Sequence, residues 1–279
     1  MDALRGFAGQ NRGSIVNVVY IIAFVIVIYY LYKFLMSGSD LEVDLLNIEK
    51  PANESSTFPL PAGSTDLRIK TGGGYTISWW MYINSWDHRA GRAKSVLQVL
   101  DQTMPGNYLF TSMLYPNEAK MMIRIHTGAT VSGETDYTAV SNFNTLMQNG
   151  TGATTSIEMP ICDLQDIDLQ RWINITATVN GRIVDVYYDG KLTRSCILPD
   201  IPKASESGAQ AVVVGNSGGY GGKVSGIQFM AYPLTPDRIY AIYQAGPRGA
   251  AGFLGYIAEK MGIKLTYSGK GGASKSVSA

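Results

Sequence analysis

The sequence predicts an all-β fold, an antiparallel β-sandwich of the jelly-roll kind, preceded by a single transmembrane α-helix. Three stretches carry this reading. Between Trp172 and Leu192, Trp172, Asn174, Thr176 and Thr178 alternate with Ile173, Ile175, Ala177 and Val179, Asn180-Gly181 supplies a two-residue turn, and a second alternating run reaches Tyr188. Asp189-Gly190 is a further tight turn, because glycine tolerates the positive φ that such turns demand, so the unit reads as a meander. Tyr75 to Ile83 is aromatic and β-branched, follows Gly72-Gly73-Gly74, and reads as a strand. Ile15 to Met36 is an apolar run of 22 residues with one Asn and one Lys, long enough as a helix to cross a hydrocarbon core of about 30 Å.

Residues 1–14 form a short polar lead containing Arg5 and Arg12. In the expected anchor at 15–36, Ile15, Phe24 and Met36 belong to the apolar run, whereas Tyr20, Tyr29, Tyr30 and Lys33 suit an interface, where a polar tip stays wet. A cleaved secretory signal has an apolar region of about 7–15 residues, and this run is longer. Arg5 and Arg12 precede the segment and Asp40, Glu42 and Asp44 follow it, so the charge bias puts the N-terminus on the cytoplasmic or equivalent side, with Lys33 opposing. Residues 37–66 read as a linker punctuated by Pro51, Pro59 and Pro61, with Leu41, Val43 and Leu45 alternating as a candidate edge strand.

The sandwich is expected over 67–246. Its further strands are placed at Ser95 to Leu100, Met121 to His126, Tyr137 to Phe143 inside a polar excursion, Ala211 to Asn216, and a run from Lys223 that stops at Pro233. Thr235 followed by Pro236 has the form of an N-cap with proline at the first helical position. In 247–279, Phe253, Leu254, Tyr256, Ile257, Met261 and Ile263 are spaced as one face of a short helix, and a Gly/Ser/Lys tail follows that is too polar to order itself.

A net charge of +1 with 16% charged residues excludes nucleic acid as a partner. Cys162 and Cys196 lie just outside the central hairpin at its opposite ends and are a candidate disulfide; two separate semi-buried thiols are the alternative.

The order Trp, alternating strand, Asn-Gly, alternating strand, Tyr-Tyr-Asp-Gly-Lys-Leu resembles the central hairpin of the concanavalin A-like superfamily, in particular its laminin-G-like and pentraxin-like members. Tyr75 to Ile83 with Ser95 to Leu100 is similar to the opening strands of laminin-G-like domains. Gly226, Ile227, Pro233, Leu234, Thr235 and Ile239 are similar to the closing strand. The resemblance covers about Tyr75 to Gln244 and marks a fold, not an activity. Membrane-anchored sandwiches of this kind also resemble proteins predicted among the structural components of large DNA viruses with an internal membrane.

Glycoside hydrolysis needs two carboxylates about 5–10 Å apart across a cleft. The glucanases of the resembled family carry Glu-x-Asp-x-x-Glu, which is absent here, so no catalytic residue is assigned and no enzyme is expected. The nearest acidic cluster, Asp163, Asp166 and Asp168, reads as a solvated loop before Trp172; it also supplies weak calcium candidates, as do Asp87 and Asp101, without calcium-loop spacing, and no other cofactor is indicated. His88 and His126 fall on different expected elements, which disfavours a histidine-based site. Trp79, Trp80, Trp86 and Trp172 are candidates for stacking on sugar rings. Adjacent in a strand, Trp79 and Trp80 face opposite sides, so one belongs to the core, and Trp79, Trp80 and Trp86 are the candidate interface residues. Asn53, Asn149 and Asn174 begin glycosylation sequons.

Two function classes follow. The first is a non-enzymatic structural protein, a minor capsid or virion protein that links an internal membrane to a surrounding shell, with the lipid bilayer and major capsid or other coat proteins as partners. The alternative is a carbohydrate-binding or adhesion module displayed on a cell surface.

Overall fold

Strand periodicity sets the architecture from residue 41 onward. The computed structural model describes residues 17, 20–29, 41–62, 66–103, 108–128, 138–149, 162–205, 208–247, 266–268 and 274–276. The chain divides into two units, 1–40 and 41–279.

In the first unit, residues 20–29 are helical (α1), and their apolar side chains, including Tyr20, Phe24 and Tyr29, are exposed. Ten helical residues rise about 15 Å, half of a hydrocarbon core. Among the described residues no helix is long and apolar enough to cross a membrane. Ile15, Tyr30, Lys33 and Met36 lie outside the described residues.

The second unit is built from two antiparallel sheets. The larger has the order β1 (Glu42–Leu46), β12 (Gly222–Met230), β4 (Tyr75–Ile83), β8 (Trp172–Asn180), β9 (Ile183–Tyr188), β10 (Lys191–Ile197), with β2 (Lys50–Pro51) also pairing to β12. The smaller has the order β3 (Ser56–Pro59), β11 (Gln210–Val214), β5 (Lys94–Asp101), β6 (Tyr108–Leu114), β7 (Met121–Ile125). Ile77, Trp79, Met81, Ile173, Ile175, Val184 and Val186 from one sheet meet Leu97, Val99, Phe110, Ile123, Val212 and Val214 from the other in a single core. Trp79 meets Phe110 edge-on with ring centroids 6.1 Å apart. The segment expected to be a linker therefore contributes β1, β2 and β3: its alternating side chains are half-buried against β12 and β11, and proline is tolerated because these strands are short and peripheral.

The central hairpin forms with a shifted turn. Asn180 pairs with Ile183, so Gly181-Arg182, not Asn180-Gly181, occupies the two turn positions, with Gly181 at φ 59°. Glycine in the first position is the requirement of a type II′ turn. Asp189 and Gly190 both have positive φ, 47° and 73°, the pattern of a type I′ turn.

Helices cover the outer faces. The strand expected at Tyr137 to Phe143 is instead α2 (Val140–Asn149). Phe143, Leu146 and Met147 at helical spacing pack onto Tyr108, Met113 and Met122, and this contact decides the conformation over β propensity. β6 was not anticipated, because a strand buried on both faces shows no alternation. α3 (Pro236–Ala245) has Pro at its first turn as expected, but Thr235 makes no side-chain cap; its carbonyl accepts the Ile239 amide at 3.1 Å. Ile239 packs with Tyr187, Met230 and Leu234 on the outside of the larger sheet. In the tail expected to be unordered, β13 (Thr266–Ser268) pairs with β14 (Ser274–Ser276).

Lys94 is buried in the smaller sheet. Its Nζ donates to the carbonyls of Pro116 (3.1 Å) and Arg92 (3.3 Å) and lies 5.1 Å from the centroid of the Trp86 ring. Burial, reinforced by Arg89, pushes its pKa down to about 8. The native state therefore sheds this proton before the unfolded chain does, whose lysine titrates near 10.5. Stability is expected to rise with pH between about 8 and 10.5 by this group's contribution. Thermal melts across that window, compared with Lys94→Met, check it: the variant should lack the rise.

Candidate functional site

Strand parity places an aromatic ledge on the outside of the larger sheet. In β4 the odd positions face the core, so Thr76, Ser78, Trp80 and Tyr82 face outward; in β8, Trp172, Asn174, Thr176 and Thr178 do. The inner part of this row is a buried polar layer. Asn174 Nδ2 donates to Ser78 Oγ (3.2 Å) and to the Trp79 carbonyl (3.2 Å), and Thr176 Oγ1 donates to Ser78 Oγ (2.8 Å). Trp80 is covered by Tyr243 of α3, the rings stacked 14° from parallel at 5.8 Å.

Tyr82 and Trp172 are register partners and remain half-exposed, their rings edge-on at 5.7 Å. Beside Trp172, the Arg171 guanidinium donates to Asp168 Oδ2 (2.9 Å) and Asp189 Oδ2 (2.7 Å) and sits 5.7 Å from the centroid of the Tyr188 ring. Tyr188 Oη donates to Asp168 Oδ2 at 2.8 Å. Asp189 Oδ1 accepts the Asn174 amide at 2.8 Å, which ties the type I′ turn to β8. Hydrogen bonds from Tyr188 and then Arg171 hold the Asp168 carboxyl below its ordinary range. Burial would lower the Arg171 pKa, but the bonds to Asp189 and Asp168 outweigh it and raise it. Burial, then Asp168, pushes the Tyr188 phenol up. This ion-pair lattice is built on Tyr188, which pairs with Ile175 and so belongs to the core-side face of the sheet, whereas Tyr82 and Trp172 lie on the outer face; the half-exposed aromatic pair is the surface on which a sugar ring can stack.

The residues singled out in the sequence separate in space. Trp79 is fully buried in the core and Trp80 lies under Tyr243, so neither presents an interface. Trp86 is half-buried, donates Nε1 to the Pro116 carbonyl at 3.2 Å, and caps Lys94. Trp172 alone among the four tryptophans lies in the ledge. The calcium candidates do not converge: Asp163 is buried against Arg124, Asp168 is engaged by Arg171, and Asp166 is exposed at φ 53°. Asp101 is filled by protein donors, accepting the Thr103 amide at 2.9 Å and the Ser205 amide at 3.1 Å. Among the described residues no group of three or more His, Cys, Asp or Glu is placed to hold a metal. His88 Nε2 lies 2.9 Å from the Gly218 carbonyl, and His126 Nδ1 lies 3.1 Å from Thr138 Oγ1. Cys162 and Cys196 form a disulfide with Cα atoms 5.9 Å apart. Asn174 is buried and its amide is spent on the polar layer, which removes it as a glycan acceptor in the folded protein; Asn53 is exposed.

Sequence reasoning missed Tyr82, Arg171 and Asp189. Tyr82 shares the outward parity of Trp80, and Arg171 adjoins Trp172, but the cross-strand register that joins them is not written locally.

The molecule is thus a two-sheet antiparallel β-sandwich with a half-open aromatic ledge. No known family and no curated protein matches the chain. Among solved structures it is similar to the receptor-binding domain of botulinum neurotoxin D, with 12% identity and a TM-score of 0.44 over 74% of this chain and 52% of that one. Domain 4 of AbnA, an extracellular arabinanase from Geobacillus stearothermophilus in complex with arabinotriose, gives 14% identity and a TM-score of 0.40 over 67% and 72%. The sialidase of Trypanosoma rangeli gives 10% and 0.45 over 69% of this chain and 26% of that one. The chain spans about a third of the botulinum neurotoxin DC binding domain that it also matches, 35%.

Proposed function

We propose that the protein is a non-enzymatic, membrane-displayed binding module of the concanavalin A-like kind whose ligand is carbohydrate. The Tyr82–Trp172 pair carries this reading: two half-exposed rings on the outer face of the larger sheet offer a stacking surface. A non-enzymatic role is supported by the state of the acidic loop, where Asp163 and Asp168 are each committed to an arginine and the bonds from Tyr188 and Arg171 favour the ionised form of Asp168. Display on a membrane is supported by the exposed apolar side chains of residues 20–29 and by the apolar run around them.

A glycan array probed with residues 41–279 tests the reading. That fragment keeps β1, which a start at residue 50 would remove. Specific retention of glycans is expected, weakened about tenfold or more by Trp172→Ala or Tyr82→Ala, the scale of losing one aromatic contact. Retention unchanged in both variants, or none in the parent, refutes it.

A second reading is a minor capsid protein linking an internal membrane to a surrounding coat, for which the exposed sheet edge β10 would be an available contact. Crosslinking of the intact protein in its native particle should then give repeated contacts to one coat protein, and contacts to lipid alone would defeat it.

A further inference from the structure

We propose that β10 is a docking edge for an extended segment of a protein partner in which acidic and aliphatic residues alternate. This goes beyond carbohydrate binding and does not depend on it.

The other sheet edges are short or covered. β7 is bridged by Leu164, whose amide and carbonyl both bond Met121 at 2.9 Å, and β3 has four residues ending at Pro59. The side chains of β1 are mostly half-buried, and its Glu42 is engaged by Tyr232 and Arg238. β10 closes its sheet with seven residues, of which all but Cys196 are exposed. An outer strand offers unpaired backbone donors and acceptors to another chain.

The side chains of β10 say what that chain should carry. Lys191 pairs with Tyr188 and Arg194 with Val186, so both cations lie on the face that Val186 directs toward the core side. A register shift at Thr193 keeps the two in phase. Leu192 pairs with Tyr187 and Ile197 with Ile183 on the opposite face, where Leu192, Ile197 and Ile183 are 55%, 70% and 49% exposed. Among the described residues neither Lys191 nor Arg194 has an ion-pair partner, whereas Arg171, Arg124 and Arg68 all do. An added strand with carboxylates on one face and aliphatic side chains on the other meets both halves of this edge, since its own side chains alternate between faces. A second copy of β10 fits poorly: antiparallel pairing about its midpoint sets Arg194 against Arg194.

The test uses the full chain in lipid nanodiscs and two synthetic octapeptides, one alternating Glu with Val and one alternating Lys with Val. Amide hydrogen exchange is read by fragment. The Glu-Val peptide is expected to slow exchange over 191–197 and to leave the β7 edge unchanged. Lys191→Glu with Arg194→Glu should weaken that peptide about tenfold or more and let the Lys-Val peptide bind in its place. Both positions are exposed, so the double variant should melt like the parent. The proposal is overturned if the peptides act alike, if protection appears elsewhere, or if charge reversal does not exchange their order. It is also overturned if exchange over 191–197 slows with protein concentration alone, which would make the occupant a second copy. Glycan retention by the charge-reversed variant is expected to match the parent, so failure here and failure of the carbohydrate reading are distinguishable.

Discussion

Replacing Cys162 and Cys196 together by alanine is expected to lower the unfolding free energy by about 4 kcal/mol, the chain-entropy value for a bridge that closes a loop of 34 residues. For a domain of this size that corresponds to a fall in melting temperature of about 8–16 °C. The bridge ties the loop that enters β8 to the C-terminal end of the edge strand β10, and both cysteines are buried. Two separate half-buried thiols, the other reading of the sequence, would give a far smaller effect, because alanine fills much of a thiol's space and no loop is released. Melts of the oxidised protein, the reduced protein and the double variant check this, and the last two should agree. Hydrogen exchange adds a local signature. β10 has β9 on one side and, among the described residues, no strand on the other, so its amides should lose more protection than those of the central strand β4. A loss below about 1 kcal/mol would mean that native packing already holds the loop and that the bridge constrains little.

The parts of this fold legible in the sequence are those where one strand face is apolar and the other polar. Ile173, Ile175, Ala177 and Val179 against Asn174, Thr176 and Thr178 gave β8 and its register within the core, and Gly190 gave the second turn. The reading failed where burial is two-sided or local preference is overruled. Tyr108 to Leu114 is buried throughout and has no period to find. Val140 to Asn149 has strand-like members at its start, yet Phe143, Leu146 and Met147 gain a shared partner only as a helix. The outward hydroxyls of Ser78, Thr176 and Thr178 are buried, which alternation alone does not show. For the site, Trp172 was identifiable as a candidate for stacking, and its partner was not. Tyr82 lies 90 positions earlier and meets it through strand register, a property of the assembled sheet. The acidic loop shows the same limit: its three aspartates are weak calcium candidates on sequence alone, and the counter-ions of Asp163 and Asp168, Arg124 and Arg171, come from β7 and from the foot of β8.

Arg124→Ala is expected to destabilise the sandwich by about 3–5 kcal/mol, the usual result of leaving a buried carboxylate without its cation. Asp163 is 2% exposed and faces four donors from three residues: both terminal nitrogens of Arg124, the Tyr115 hydroxyl, and the Ile123 amide at 3.3 Å. Removing the guanidinium leaves a phenol and one long amide contact for a full negative charge in a site closed to water. The cost therefore reports the orphaned charge more than the strength of the pair. The double change Arg124→Met with Asp163→Asn separates the two. Asparagine keeps an acceptor for Tyr115 and Ile123, methionine keeps the apolar stem, and no charge is buried, so the double variant should be destabilised by less than half as much as Arg124→Ala. Denaturant melts of residues 41–279 at neutral pH give both numbers. A single variant that loses no more than about 1 kcal/mol would mean that Asp163 reaches water or another cation when Arg124 is gone.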